Sequence, residues 1–189
     1  ALADRAIDAA TRAFETWKSV PADERAEILF RAVDVMRRRR LGLAAWMCFE
    51  IGKSWAEADA DVAEAIDFCD YYAAEMRRLA NPRHVDLPGE ENWTTYDPRG
   101  IAVVIAPWNF PVHLAIAPLA PMFAAGNRVM LKISEMTPRT AALIQSLIAE
   151  NYAETELAGF CGGPDFGTAF TSLPFDHIFF TGSPCVGKL

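Results

Sequence analysis

The stretch Ile101-Ala-Val-Val-Ile-Ala-Pro-Trp-Asn-Phe-Pro111 reads as a buried strand running into a rigid, polar-tipped turn. Five consecutive apolar, β-capable residues without polar alternation describe a strand covered on both faces, as in a parallel sheet. Pro107 and Pro111 then fix the backbone on either side of Trp108, Asn109 and Phe110. An amide held on such a turn, at the C-terminal end of a parallel strand, stands where open α/β sheets bind their ligands. The same residues also fit a hydrophobic turn with one solvated Asn, and nothing local separates the two readings.

Downstream, the strand is followed by an apolar segment from Val112 to Ala125 that contains Pro118 and Pro121. Each proline costs about 3 kcal/mol in a regular helix interior, so the helix is expected to start near Pro118 or to kink there. Gly126-Asn127 ends it, and Arg128-Val-Met-Leu-Lys132 is the next strand. Thr137-Pro138 opens a further helix, with Pro138 in its first turn and Ala141, Leu143, Ile144, Leu147 and Ile148 inside. Leu157 to Cys161 forms a weaker strand; Gly162-Gly163 and a short helix around Gly167 to Ser172 follow. Asp176 to Thr181 is the last strand and runs into Gly182-Ser183. This alternation specifies an α/β fold, a parallel sheet with right-handed crossovers and helices on both faces. Leu189 falls where another helix is due, so the sheet reads as incomplete.

Upstream, residues 2 to 80 read as helix after helix. Leu2 to Trp17 spaces Ile7, Ala10, Phe14 and Trp17 helically. A second helix, with Pro21 in its first turn, turns Ile28, Leu29, Ala32, Val33 and Met36 inward and closes on Arg37 to Arg40. That arginine run matches the negative end of a helix dipole better than it does a basic binding patch. A short helix from Leu41 to Ile51 stops at Gly52, and a long one from Trp55 to Leu79 stops at Asn81-Pro82. Residues 83 to 100 change character: Pro88 to Asn92 is a turn cluster and Trp93 to Tyr96 has strand propensity. A short exposed strand there suits pairing with another subunit. The expected organisation is a helical segment over 1–82, a connecting and oligomerisation region over 83–100, and a partial nucleotide-binding sheet over 101–189.

Composition narrows the function classes. A net charge of −7 argues against a general nucleic-acid binder, and 52% hydrophobic residues argue against disorder. No apolar run reaches membrane-spanning length and Ala1 to Arg5 has no signal-peptide layout, so a cytoplasmic protein without a membrane anchor is expected. Cys48, Cys69, Cys161 and Cys185 are far apart with no CxxC pattern, which points to reduced thiols rather than zinc. His84, His113 and His177 are isolated, so no metal centre is expected.

Three polar clusters fall at the C-terminal ends of strands: Trp108-Asn109, Lys132-Ile-Ser-Glu135 and Phe180-Thr-Gly-Ser183. In a parallel sheet these ends share one edge. Lys132 and Glu135 suit the two ribose hydroxyls of an adenosine, with Glu135 repelling a 2′-phosphate; the plainer reading is an exposed ion pair worth little. Thr181, Gly182 and Ser183 offer N–H groups and a hydroxyl suited to a pyrophosphate, or else an ordinary N-cap. The G-x-G-x-x-G fingerprint of the usual dinucleotide fold is absent.

Pro107-Trp-Asn-Phe-Pro111, Gly126-Asn127, Lys132-Ile-Ser-Glu135, Thr137-Pro138 and Phe180-Thr-Gly-Ser183 with Val186-Gly187 resemble, in order and spacing, the aldehyde dehydrogenase superfamily. The resemblance implies NAD(P) bound on an atypical Rossmann domain that lacks the glycine fingerprint, preceded here by the helical segment. It implies that Asn109 stabilises the oxyanion formed when a cysteine thiolate attacks an aldehyde, a task for a neutral donor aimed at developing charge. Ile105, Ala106, Pro107 and Trp108 would line the cofactor. Lys132 and Glu135 would meet the adenosine ribose, Ser134 between them would belong to the cofactor site, and Gly163 and Gly167 would lie on the adenine side. Thr181, Gly182 and Ser183 would meet the pyrophosphate, and Val186 would form the apolar wall of the adenine site. NAD is the expected cofactor, with NADP tolerated by the same residues.

The resemblance is itself divided. Residues from about Trp55 to Asn109 are most similar to the branch that oxidises L-glutamate γ-semialdehyde, formed from 1-pyrroline-5-carboxylate in proline catabolism. Residues from about Ala124 to Gly187 are more similar to the coniferyl-aldehyde branch. The implied function is oxidation of an aldehyde to a carboxylic acid, with L-glutamate γ-semialdehyde first and aromatic or general aliphatic aldehydes as alternatives. A homo-oligomer is implied for the full-length enzyme. The family's nucleophilic cysteine and general-base glutamate belong to a later part of its chain, so these 189 residues are expected to be an inactive portion of the enzyme. Cys185 sits near a helix N-terminus, where a thiol pKa is lowered, but at a variable position of the pattern. A non-catalytic nucleotide-binding module remains the alternative of another class.

Overall fold

In the computed structural model, which describes residues 2–188, Ile101–Ile105 forms the strand at the centre of a parallel sheet. In chain order the elements are α1 (Leu2–Trp17), α2 (Ala22–Ile51), α3 (Trp55–Leu79), β1 (Arg83–His84), β2 (Trp93–Thr94) and β3 (Ile101–Ile105). Then follow α4 (His113–Ala124), β4 (Arg128–Ile133), α5 (Pro138–Asn151), β5 (Leu157–Cys161), α6 (Pro164–Thr171), β6 (His177–Phe180) and a 3-10 turn (Val186–Lys188). The expectation placed on Leu189, and anything placed on Ala1, lies outside the described residues.

The sheet order is β5-β4-β3-β6, all parallel, with Ile105 opposite Lys132 on one side and Phe180 on the other. Alternation along β3 sends its side chains to two different layers. Val104, with Val129, Leu131 and Ile133 of β4, packs into the core built by α2, α3, α4 and α5. Ile101 and Val103, with Met130, pack instead against Ile7 of α1 and Phe170 of α6. Helices therefore cover both faces, which is why β3 and β4 carry no polar alternation.

The entry to β3 is tied down by two side chains. Asn127 Oδ1 accepts the N–H groups of Arg99 (2.6 Å) and Gly100 (3.1 Å), and its Nδ2 donates to the Met122 carbonyl. Asp176, just before β6, accepts the Ile101 N–H at 2.8 Å. Gly100 has φ +136, and a Cβ there would stand 2.1 Å from Asp176 Oδ2. Gly100→Ala therefore combines a strained backbone with the loss of the Asp176 contact, and a destabilisation of about 1–3 kcal/mol is expected by denaturant unfolding. A change within a few tenths of a kcal/mol would show that this junction does not hold the strand.

Three expectations are corrected. The stretch from Ala22 to Ile51 is one helix of 30 residues, not two. No breaker separates its halves, since Arg and Leu are good helix formers and nothing stands within 4 Å of a Cβ at Gly42. Arg37, Arg39 and Arg40 are thus not at a helix end. They pair with Asp70, Glu150 and Asp59, tying α2 to α3 and α5. The helix does end at Gly52, whose φ of 69 gives it the left-handed C-cap, and Pro21 precedes the first turn rather than occupying it. Second, α4 does not start near Pro118: it begins at His113, five residues earlier, and continues through both prolines. Its burial against α3, β3 and β4 offsets the two missing N–H groups. Third, the short helix after Gly162-Gly163 begins at Pro164 rather than around Gly167. Trp93–Thr94 forms the expected short strand, paired antiparallel with Arg83–His84 of the same chain, with the His84 and Trp93 rings stacked 3.8 Å apart.

Candidate active site

The register of the sheet brings the three polar clusters together. The Ala106 N–H donates to the Lys132 carbonyl at 3.0 Å, and the Thr181 N–H donates to the Ile105 carbonyl at 3.1 Å. The residues leaving β3, β4 and β6 are thus joined by their own backbone at one edge. Ala106 is 5% exposed and presents backbone only, Ile105 and Pro107 are half-buried, and Trp108 is half exposed.

On β4, Lys132 is 7% exposed, and its Nζ lies 2.7 Å from Glu135 Oε2. Partial burial works to raise the Glu135 pKa. The hydrogen bond from Lys132, the Glu135 backbone N–H and the lysine charge outweigh it and hold the carboxyl below its ordinary range. Gly167 of α6 lies beside this pair: a Cβ there would come 3.8 Å from Lys132 Cε. Gly163, the N-cap of α6, is exposed with nothing within 4 Å of the Cβ position. A carboxylate beside an ammonium, with glycine on the adjoining loop, suits a vicinal diol with a flat ring beyond it. Ser134 is buried, and its hydroxyl accepts the Met136 N–H at 3.2 Å, so it shapes the turn.

Beyond β6, Phe180 packs on the glycines that follow. A Cβ on Gly182 would meet its ring at 2.5 Å, and one on Gly187 would meet it at 3.0 Å. Ser183 caps the 3-10 turn, its Oγ accepting the Val186 N–H at 3.4 Å and its carbonyl the Gly187 N–H at 3.0 Å. Val186 stands on that turn, 56% exposed.

Asn109 occupies the exposed apex between Trp108 and Phe110, and its side chain makes no hydrogen bond among the described residues. The turn is held from α3 by residues the sequence reading passed over. Asp61, whose side chain is fully buried, accepts the His113 N–H at 2.6 Å and the Lys53 ammonium at 2.6 Å. Lys53 Nζ in turn lies 3.7 Å over the Phe110 ring. His113 Nδ1 is 2.8 Å from Glu64 Oε2, and its ring stacks on Phe68 at 5.3 Å. One buried carboxylate thus pins the start of α4 and, through Lys53, the residue next to Asn109. The available signal was the acidic Asp61 among the buried positions Ala58, Val62 and Ala65 of an otherwise amphipathic helix.

The cysteines are chemically quiet or distant in sequence from this turn. Burial pushes the Cys69 thiol up to about 12, so it is protonated at neutral pH. Burial also raises Cys161, against the pull of Lys132, and its thiol lies 4.0 Å from the Ser134 carbonyl. Cys48 is half-buried on α2, and Cys185 is exposed just ahead of the 3-10 turn.

Comparison with known proteins gives this edge its context. A 1-pyrroline-5-carboxylate dehydrogenase of Halalkalibacterium halodurans is 38% identical over 192 residues, a match covering 98% of this chain and 37% of the relative. The crystal structure of a Thermus 1-pyrroline-5-carboxylate dehydrogenase with bound NAD superposes with a TM-score of 0.89 at 39% identity, over 98% of this chain and 37% of that one. Proline utilization A from Bdellovibrio bacteriovorus gives 0.92 at 39% identity, over 99% of this chain and 20% of that one. The chain therefore spans little more than a third of the length of the curated relatives it matches. The model of the aldehyde dehydrogenase family matches residues 1–189, so the strand-edge clusters and the stiff Asn109 turn stand in a chain that belongs to that family.

Proposed function

We propose that this chain supplies the nucleotide bed and the oxyanion donor of an enzyme that oxidises L-glutamate γ-semialdehyde to glutamate with NAD. The observation that carries the reading is the convergence of the three clusters: Ala106 bonded to Lys132 and Thr181 bonded to Ile105 across neighbouring strands. Similarity to 1-pyrroline-5-carboxylate dehydrogenases over 98% of the chain supports the substrate. The Thermus neighbour, solved with NAD, supports the cofactor.

The residues fit that cofactor. Glu135 accepts from a ribose hydroxyl while Lys132 donates, and the negative charge of Glu135 disfavours a 2′-phosphate, so NAD is preferred to NADP. Gly163 and Gly167 leave room for the adenine, with Val186 as its apolar wall. The backbone at Thr181 and Gly182 and the Ser183 hydroxyl face the pyrophosphate, and Ile105 to Trp108 bound the nicotinamide end. When bound, NAD accepts the hydride removed from the substrate carbon. Asn109 donates its amide N–H to the oxygen on which negative charge develops, and Pro107, Pro111 and the Asp61 bond hold it there before reaction. The helical segment over 1–82 acts as the support of this turn. A cytoplasmic location and a homo-oligomer, with the β1–β2 ribbon at a subunit contact, complete the proposal.

The test grafts residues 1–189 in place of the matching segment of the Thermus enzyme. The folded graft is expected to oxidise L-glutamate γ-semialdehyde at a higher kcat/KM than coniferyl aldehyde. A graft that folds and binds NAD but turns over only the aromatic aldehyde, or nothing, overturns the reading. The latter outcome favours a non-catalytic nucleotide-binding module.

A further inference from the structure

At the end of the sheet opposite the three clusters lies a cavity of about 300 Å³, bounded by α1 and by the first residues of β4 and β5. Its space comes from small side chains, Ala6, Ala9 and Ala10 of α1, and its apolar floor from Met130 and Phe160. Arg128, the first residue of β4, lines it.

Arg128 is only 2% exposed, and its Nη1 has no hydrogen-bond partner. Its guanidinium rests 5.0 Å from the Trp17 ring centroid, a contact that orients it but satisfies no N–H. Burial pulls its pKa down to about 10, opposed by the Glu156 carboxylate. Glu156 makes no hydrogen bond or ion pair with Arg128; its Oε2 accepts the Ala153 N–H at 2.9 Å. A buried, charged donor left unpaired is costly, and an oxyanion removes that cost.

The rim selects among oxyanions. Arg5, Arg12 and Arg128 share the lining with Asp8, Glu154 and Glu156, so its formal charges cancel, and Arg128 is the buried one of the three cations. A lining without net charge around one buried guanidinium suits a single carboxylate better than a phosphate dianion. The apolar floor favours a ligand with hydrocarbon behind its charge. We propose that this cavity binds a small monocarboxylate with a short apolar body, its carboxylate on Arg128 and its body over Met130 and Phe160. The site does not depend on the nucleotide reading, since Arg128 and Lys132 stand at opposite ends of β4.

The experiment titrates the 189-residue chain with butanoate at fixed ionic strength, by calorimetry and by Trp17 fluorescence, with Trp17→Phe identifying the signal. One saturable site is expected, with uncharged butanamide weaker by about tenfold or more. Arg128→Met is expected to abolish binding. Ala9→Leu is expected to do so as well, by filling the cavity while leaving the guanidinium in place, and it serves if the arginine variant does not fold. Saturating NAD is expected to leave the butanoate affinity unchanged. No saturable binding, equal binding of butanamide, tighter binding of inorganic phosphate, or binding that survives both substitutions would each overturn the proposal.

Discussion

Asp61→Ala is expected to cost about 3–5 kcal/mol of folding stability, the loss typical when one member of a buried ion pair is removed. The Asp61 side chain is fully buried and that of Lys53 only 10% exposed, so the substitution leaves an ammonium with little solvent. It also orphans the His113 N–H at the start of α4. Replacing the pair together, Asp61→Leu with Lys53→Met, removes the stranded charge but not the stranded N–H. The double variant should therefore recover most of the loss and retain a deficit of about 1–3 kcal/mol. Denaturant unfolding of the three chains measures this. A single variant that loses under about 1 kcal/mol, or a double variant no better than the single, would show that the pair does not hold the turn.

The second large effect is chemical. In the active graft, Asn109→Ala is expected to lower kcat by about 10²–10³, the usual consequence of deleting one oxyanion donor. KM should move far less, because the amide acts on charge that develops during reaction rather than on the bound aldehyde. Asn109 is exposed and bonded to nothing else among the described residues, so the substitution should leave stability nearly unchanged. A kcat reduced less than about threefold would return Asn109 to the reading of a solvated turn residue.

The two variants separate what the sequence carried from what it concealed. β3, β4 and the clusters behind them were legible because a strand buried on both faces leaves an unbroken apolar run, and a parallel sheet puts every such end on one edge. The convergence at Ala106, Lys132 and Thr181 follows from that rule alone. The Asp61 tether was not legible. It joins residues 52 apart through a backbone N–H, and no local pattern distinguishes a buried carboxylate with such a partner from a solvated one. The same reason hid the long α2: an arginine run resembles a dipole-matched helix end until its partners Asp59, Asp70 and Glu150 on other helices are known. α4 failed differently, because local proline costs were set against tertiary burial that sequence does not display. β1 is two residues long, too short for any periodicity, and exists only because β2 pairs with it.

The Arg128 cavity extends the same logic in reverse. Arg128 opens a strand that continues Val129-Met130-Leu131 before Lys132, and its missing partner appears only in three dimensions.

The central claim is that the edge joining β3, β4 and β6 is a bed for NAD. Calorimetric titration of the 189-residue chain with NAD and with NADP tests it directly. The account predicts a single saturable site for NAD and weaker binding of NADP, with Lys132→Met weakening NAD by about ten- to a hundredfold, the loss of one charge-assisted hydrogen bond. Glu135→Gln should narrow the gap between the two nucleotides. A folded chain that binds neither nucleotide, or binds NAD equally well with Lys132 and Glu135 replaced, would contradict it.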